Sequence, residues 1–177
     1  MIKCQRKSIR LKDFDYSRNG YYFVTICTND RKCLFGEIVD GQMRMNACGV
    51  IVKNEWLNTS KIRFNVELDQ LMVMPNHIHG IIKITDHARR GVLQYAPIQQ
   101  LRSPSQTIGS IIRGFKSSVT KQINILRKAQ NIPIWQRNYY EHIVRDENDL
   151  HRIHEYIKNN PLNWYDDKNN PINLKNA

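Results

Sequence analysis

The sequence has no long apolar run. No window approaches the ~18 uninterrupted apolar residues that a membrane helix needs, so nothing in it reads as a transmembrane span. The charged start, Met1-Ile2-Lys3-Cys4-Gln5-Arg6-Lys7, has no apolar stretch behind it and does not read as a secretory signal. Cysteine is sparse: Cys4, Cys27, Cys33 and Cys48 form no Cys-x-x-Cys pair and no zinc-ribbon spacing. Reduced thiols and a cytoplasmic protein are the expectation. Internal repeats are absent, which excludes a solenoid. Acidic residues are scarce, 16 Asp plus Glu against 27 Lys plus Arg, leaving a net charge of +11. Such a surface attracts polyanions. No basic amphipathic helix with Trp, Phe or Leu opposite its charges stands out, so nucleic acid is the better match than an anionic membrane.

What is present suffices for one core. The chain has 177 residues, 41% of them apolar, the size of a single domain. Residues 1–20 read as a basic arm with Arg6, Lys7, Arg10, Lys12 and Arg18. Residues 21–165 read as one domain, and 166–177 as a polar tail. Tyr21 to Thr28 is rich in aromatic and β-branched residues and predicts a strand. Asn46 is a candidate cap for a helix to about Asn58, with Val50, Ile51, Trp56 and Leu57 as its apolar positions. Phe64 to Met74 and His77 to Ile84 predict two strands joined at Pro75-Asn76. Residues 86–106 lack a period and read as a mobile loop. Ile108, Ile111, Ile112, Phe115, Val119, Ile123 and Leu126 recur at three and four, which predicts an amphipathic helix. Glu141 to Arg145 reads as a short strand. Asp146 then caps a last helix that Asn160-Pro161 stops. The order is β-α-β-β-α-β and then a helix. This is an α+β, ferredoxin-like split βαβ pattern: an antiparallel sheet with helices on one face and the other face free for a ligand.

Two features carry chemistry. His77 and His79 are one residue apart on a strand, so both imidazoles leave the same face, ~6–7 Å apart at the backbone. Two neutral imidazoles so placed can hold a divalent metal; two surface histidines on a strand fit the same spacing. Pro75-Asn76 gives a rigid entry, and Gly80 leaves room for close approach of a ligand. On the last helix Leu150, Ile153 and Ile157 form the apolar stripe. Arg152, Tyr156 and Asn160 follow one another at single turns along a ridge beside it. Tyr156 there fits a half-buried packing residue. It also fits a nucleophile, if a metal polarises a phosphate and a cation such as Arg152 or Lys158 favours the phenolate. Asn160 offers an amide oxygen that Mg²⁺ and Mn²⁺ accept.

The strand Val73-Met74-Pro75-Asn76-His77-Ile78-His79-Gly80-Ile81-Ile82 resembles the His-hydrophobic-His motif of HUH nucleases. The stretch from Trp135-Gln136 through Tyr139, His142 and Arg145 to Tyr156-Ile157-Lys158-Asn159-Asn160-Pro161 resembles the REP-associated single-tyrosine transposases. Ile111-Ile112-Arg113-Gly114-Phe115-Lys116-Ser117 resembles their middle helix. The similarity covers roughly residues 20–165. It implies a ferredoxin-like catalytic domain that cleaves single-stranded DNA, often beside a hairpin. Tyr156 would attack the scissile phosphate and become joined to the 5′ end. His77, His79 and Asn160 would hold Mg²⁺ or Mn²⁺. Rejoining to another 3′-OH would give strand transfer without ATP.

The cations Arg113, Lys116 and Lys121 of the middle helix, with Arg152 and Lys158 of the last, are the expected DNA contacts. Trp135 or Tyr139 is a candidate for stacking on a base. The sequence leaves open whether the site is built in one chain or across a homodimer. Two other readings stay open: a DNA-binding protein that has lost catalysis, and a metal phosphodiesterase that uses water in place of tyrosine.

Overall fold

Strand β1 spans Gly20–Cys27 and lies inside the sheet, with neighbours on both sides. The structure is a computed structural model that describes residues 15–85 and 107–173. The expected loop at 86–106 and all of the basic arm before residue 15 lie outside the described residues. After β1 come a hairpin of β2 (Gly36–Val39) and β3 (Gln42–Met45), helix α1 (Ala47–Ile62), and strands β4 (Val66–Val73) and β5 (His77–Ile84). Helix α2 (Ile108–Leu126), strand β6 (Tyr140–Ile143) and helix α3 (Glu147–Asn159) complete the order. Among the described residues, no helix is long and apolar enough to cross a membrane.

The main sheet runs β4-β5-β1-β6, every neighbouring pair antiparallel. The unit β1-α1-β4 is therefore split by β5, and β5-α2-β6 is split by β1, as the ferredoxin-like pattern requires. Tyr22, Val24 and Ile26 of β1 point into the main core with Ile78 and Ile82 of β5. Helices α1 and α2 cover this side. The α2 positions Ile108, Ile111, Ile112, Phe115, Val119 and Ile123 are all buried, as their period predicts, whereas Leu126, at the helix's last turn, is exposed.

Helix α1 begins where expected: the Asn46 side chain accepts from the backbone N–H groups of Cys48 and Gly49, at 2.9 and 3.1 Å. Its buried stripe differs from expectation. Cys48, Val52 and Trp56 face the core, while Val50 and Leu57 are exposed. Trp56 fixes this phase. Its indole enters the space left by the missing side chain of Gly80, where a Cβ would lie 2.4 Å from the ring. Gly80 thus serves core packing, on the face opposite the histidines, and leaves no room for a ligand.

The sheet's second face is not left free along its length. Phe23 and Ile81 of that face pack against Ile153 and Ile157 of α3, forming a second small core. Four buried side chains at about 1.5–3 kcal/mol each hold α3 to the sheet. Asp146 caps the helix by accepting from the Asp149 N–H at 2.8 Å.

Candidate active site

The site begins with β-register. His77 lies opposite Cys27 and His79 opposite Thr25, so both rings rise from the face that α3 partly covers. They meet with Nε2 atoms 3.0 Å apart. Both are buried, at 0% and 1% exposure. Burial is the main cause that pushes the His77 imidazole down to about 3 and His79 well below its ordinary value, so both rings are neutral.

The neighbours fix the tautomer of His77. Asn76 Nδ2 donates to the carbonyls of Arg31 and Asn169, at 2.8 and 2.7 Å. Its Oδ1 therefore faces His77 and accepts from Nδ1–H at 2.8 Å. His77 Nε2 is left with a lone pair aimed at His79 Nε2. Thr25 Oγ1 sits 2.8 Å from His79 Nδ1. Either His79 donates a hydrogen to His77, or a cation takes both lone pairs.

Helix α3 places Tyr156 against this pair, within the same chain. The phenol oxygen lies 3.5 Å from His79 Nε2, and its ring stands edge-on to Phe23 at 6.0 Å. Tyr156 is 45% exposed. Burial first, and the charge of Asp167 next, raise its phenol above the ordinary value, while the Asn160 amide pulls it down. Asn160, one turn on, is buried, and its Oδ1 has no hydrogen-bond partner among the described residues. Arg152 and Lys158 do not flank the phenol. Arg152 pairs with Asp149 at 3.2 Å, and Lys158 lines a groove with Met43, Leu71 and Pro161.

The sequence reading missed Asp167. Beyond Pro161 the chain turns back, through a short 3-10 helix at Trp164–Asp166, onto the entry of β5. Asp167 Oδ2 comes 3.6 Å from His77 Nε2, buried and with no hydrogen-bond partner among the described residues. Ligand atoms of His77, His79 and Asp167 all lie within 4.8 Å of one another. Two imidazole nitrogens beside two unpartnered buried oxygens are a donor set that suits a divalent cation of the Mg²⁺ or Mn²⁺ kind. Arg31 anchors the same returning segment, donating to the Lys168 carbonyl and to Asn169 Oδ1 at 2.9 and 2.7 Å. Residues 166–169 therefore line the candidate site, where the sequence suggests only a polar tail.

Of the other expected residues, Arg113 and Lys121 are exposed on α2. Lys116 turns inward and donates to the carbonyls of Gln136, Arg137 and Asn138. Trp135 is buried against Phe35 and Phe115, at 5.2 and 5.7 Å, and is not free to stack on a base. His142 is tied to Asp149 at 2.7 Å, and His154 to Asp69 at 2.9 Å.

No protein-family model matches the chain. Over 167 residues it is 42% identical to an uncharacterized protein of Haemophilus influenzae, covering 92% of each. The chain belongs to that protein's family. A second protein of the same organism, provisionally named a REP-associated tyrosine transposase, is 22% identical over 148 residues, covering 84% of this chain and 73% of the relative. The solved structure of a REP-associated tyrosine transposase bound to a REP hairpin matches with a TM-score of 0.56 at 20% identity. That match covers 88% of this chain and 74% of the other, and it shows a shared fold. The resemblance to REP-associated tyrosine transposases read from the motifs is met again in both comparisons.

Proposed function

We propose that this protein cleaves single-stranded DNA at hairpin-associated sites and transfers the cut strand through a 5′-phosphotyrosine on Tyr156. One observation carries the reading: the Tyr156 hydroxyl sits 3.5 Å from the Nε2 of a buried, neutral histidine pair, in one chain. A scissile phosphate placed there meets the nucleophile and the donor set together. His77, His79, Asn160 and Asp167 would hold Mg²⁺ or Mn²⁺. When bound, that cation supplies Lewis-acid polarisation of the phosphate and offsets the charge that develops on its oxygens.

The protein's own groups do the rest. Phe23 and His79 hold the phenol ring, and the small core under α3 fixes its height above the sheet. The Tyr156 oxygen forms the bond to phosphorus and the bond to the 3′ oxygen breaks. The phenol gives up one proton and the leaving oxygen takes one up, so the step is balanced. Attack by another 3′-OH on the phosphotyrosine reverses these bonds and joins the strands without ATP. Positive charge brings the DNA in. The net charge is +11, and Arg113, Lys121, Arg152 and Lys158 are exposed cations for its phosphates. The REP hairpin bound in the solved structure of similar fold supports the same class of substrate.

The test is a denaturing gel of labelled, hairpin-bearing single strands incubated with the protein and Mn²⁺. A covalent adduct is expected with the wild type and is lost in Tyr156→Phe. Cleavage that survives Tyr156→Phe would assign the nucleophile to water. Binding with neither cleavage nor adduct would leave a DNA-binding protein.

A further inference from the structure

A cleft of about 510 Å³ opens beside Tyr156, floored by Phe23 and Thr25 of β1 and walled by the segment from Gln136 to Tyr140. Its volume falls in the range of small-ligand pockets, roughly 300–1,000 Å³. Three kinds of side chain meet in it. Tyr140 presents a half-exposed ring, 6.3 Å from Phe23 and near edge-on to it. The carboxamides of Gln136 and Asn138 make no hydrogen bond to any described residue, although their backbones do. Arg31, anchored by the Lys168 carbonyl and Asn169, lines the cleft together with Lys168, which also lines a second hollow on Tyr156 and Asp167. An open aromatic face, free carboxamides and cations are the three contacts a nucleotide asks for: stacking, a base-edge pairing and a phosphate partner.

The cleft wall is held in an unusual way. The Lys116 ammonium, reaching from α2, donates to three successive carbonyls, those of Gln136, Arg137 and Asn138, at 2.9, 3.4 and 3.0 Å. Its charge also lies 5.5 Å from the centre of the Tyr139 ring. An ammonium has three hydrogens, and this one directs all of them to the wall. Burial lowers its pKa to about 8, a cost that a lysine on an open helix face would not carry.

We propose that this cleft is a base-reading subsite for the nucleotide that flanks the scissile phosphate. Its ring lies on Tyr140, its edge is read by Gln136 and Asn138, and its phosphate rests between Arg31 and Lys168. Lys116 is a positioning residue that sets the reading segment. The proposal rests on the strand-cleavage reading and adds its sequence choice. Adenine is the expected base, because its edge pairs with a carboxamide at two points.

The experiment uses the full chain carrying Tyr156→Phe, so that binding is read apart from chemistry. Hairpin-bearing single strands are varied base by base, and to abasic sites, along the unpaired segment beside the hairpin. One flanking position should stand out: making it abasic should weaken binding about 5- to 100-fold, the range of one base–aromatic stack. Adding Tyr140→Ala should abolish that penalty. Adding Gln136→Ala with Asn138→Ala, two surface changes that leave the core intact, should flatten the preference among bases there. In the otherwise wild-type enzyme, Lys116→Met should raise the DNA concentration for half-maximal adduct by more than it lowers the maximal rate. A base profile unchanged by the double carboxamide variant overturns the subsite, even where adduct forms. A flattened profile without any adduct from the wild type upholds the subsite and overturns the chemistry. Absence of DNA binding overturns both.

Discussion

Removing the Asn76 side chain tests how the histidine pair is built. Asn76 is fully buried and makes three hydrogen bonds of 2.7–2.8 Å: one from His77 Nδ1–H, and two to the carbonyls of Arg31 and Asn169. Asn76→Ala strands all three partners. A buried group left without its partner costs about 1–3 kcal/mol. Three of them set an upper range that a water entering the vacated space reduces, so about 3–5 kcal/mol is expected. For a domain of this size each kcal/mol moves Tm by about 2–4 °C, so a fall of roughly 6–20 °C is expected in a circular-dichroism melt. A second readout separates orientation from bulk stability. Loss of a group that orients a ligating histidine weakens metal binding by about 10–100-fold, which a Mn²⁺ titration below the melt measures. Asn76→Asp keeps an acceptor for His77 but turns an oxygen toward two carbonyls, so it should be no more stable than Ala. A melt within ~2 °C of wild type, with Mn²⁺ affinity unchanged, would refute this account of the site.

Acid should weaken the protein before its carboxylates titrate. The folded-state pKa values of His77 and His79 lie below their unfolded values, so the unfolded chain binds more protons as pH drops. Stability is then full above the unfolded value of about 6.5 and is lost as pH falls from there toward about 3, by up to about 1.4 kcal/mol per pH unit for each ring. Urea melts across that window should show the slope, and His77→Gln should reduce it. Asp167→Asn removes the one anionic donor and should weaken Mn²⁺ binding roughly tenfold or more; an unchanged Mn²⁺-induced rise in Tm would take Asp167 out of the donor set. Gly80→Ala puts a methyl group 2.4 Å from the Trp56 ring and should cost about 1–3 kcal/mol. Trp56→Phe in the same chain should recover part of that loss, and a double variant that merely sums the two single costs would contradict the contact.

The parts of this molecule legible in the sequence are those that depend on local period. The His77-Ile78-His79 alternation, the α2 stripe and the Asn46 and Asp146 caps each need only a few consecutive residues. The β2–β3 hairpin is legible too. Asp40-Gly41 takes positive φ at both positions, 52° and 71°, and Asp-Gly is a strong two-residue hairpin signal. The burial phase of α1 was not legible, because Val50, Val52, Trp56 and Leu57 leave apolar residues on two sides. What chose between them was a glycine on another element. Lys116 sits where helical period puts a solvated cation, and only the path of residues 136–138 turns it inward. Asp167 lies 90 residues from His77 in sequence, and no local pattern ties it to that strand.

The electrostatics of the site give those distant residues a common reason. The histidine pair is neutral, and the phenol is held above its ordinary pKa. Nothing in that trio favours a phenolate. Asp167 adds a nearly buried carboxylate whose Oδ2 has no donor among the described residues, which further opposes charge on Tyr156. An unpaired buried charge is costly, and the nearby Arg31 directs one nitrogen to the Lys168 carbonyl and Asn169. His77, His79, Asn160 and Asp167 would hold a divalent cation with these same atoms, and its charge would offset those costs and favour the phenolate. The arrangement that costs most without a cation gains most with one. On the proposed reading, activation of Tyr156 as nucleophile would be coupled to metal occupancy, and the phenol would stay protonated until the donor set is filled.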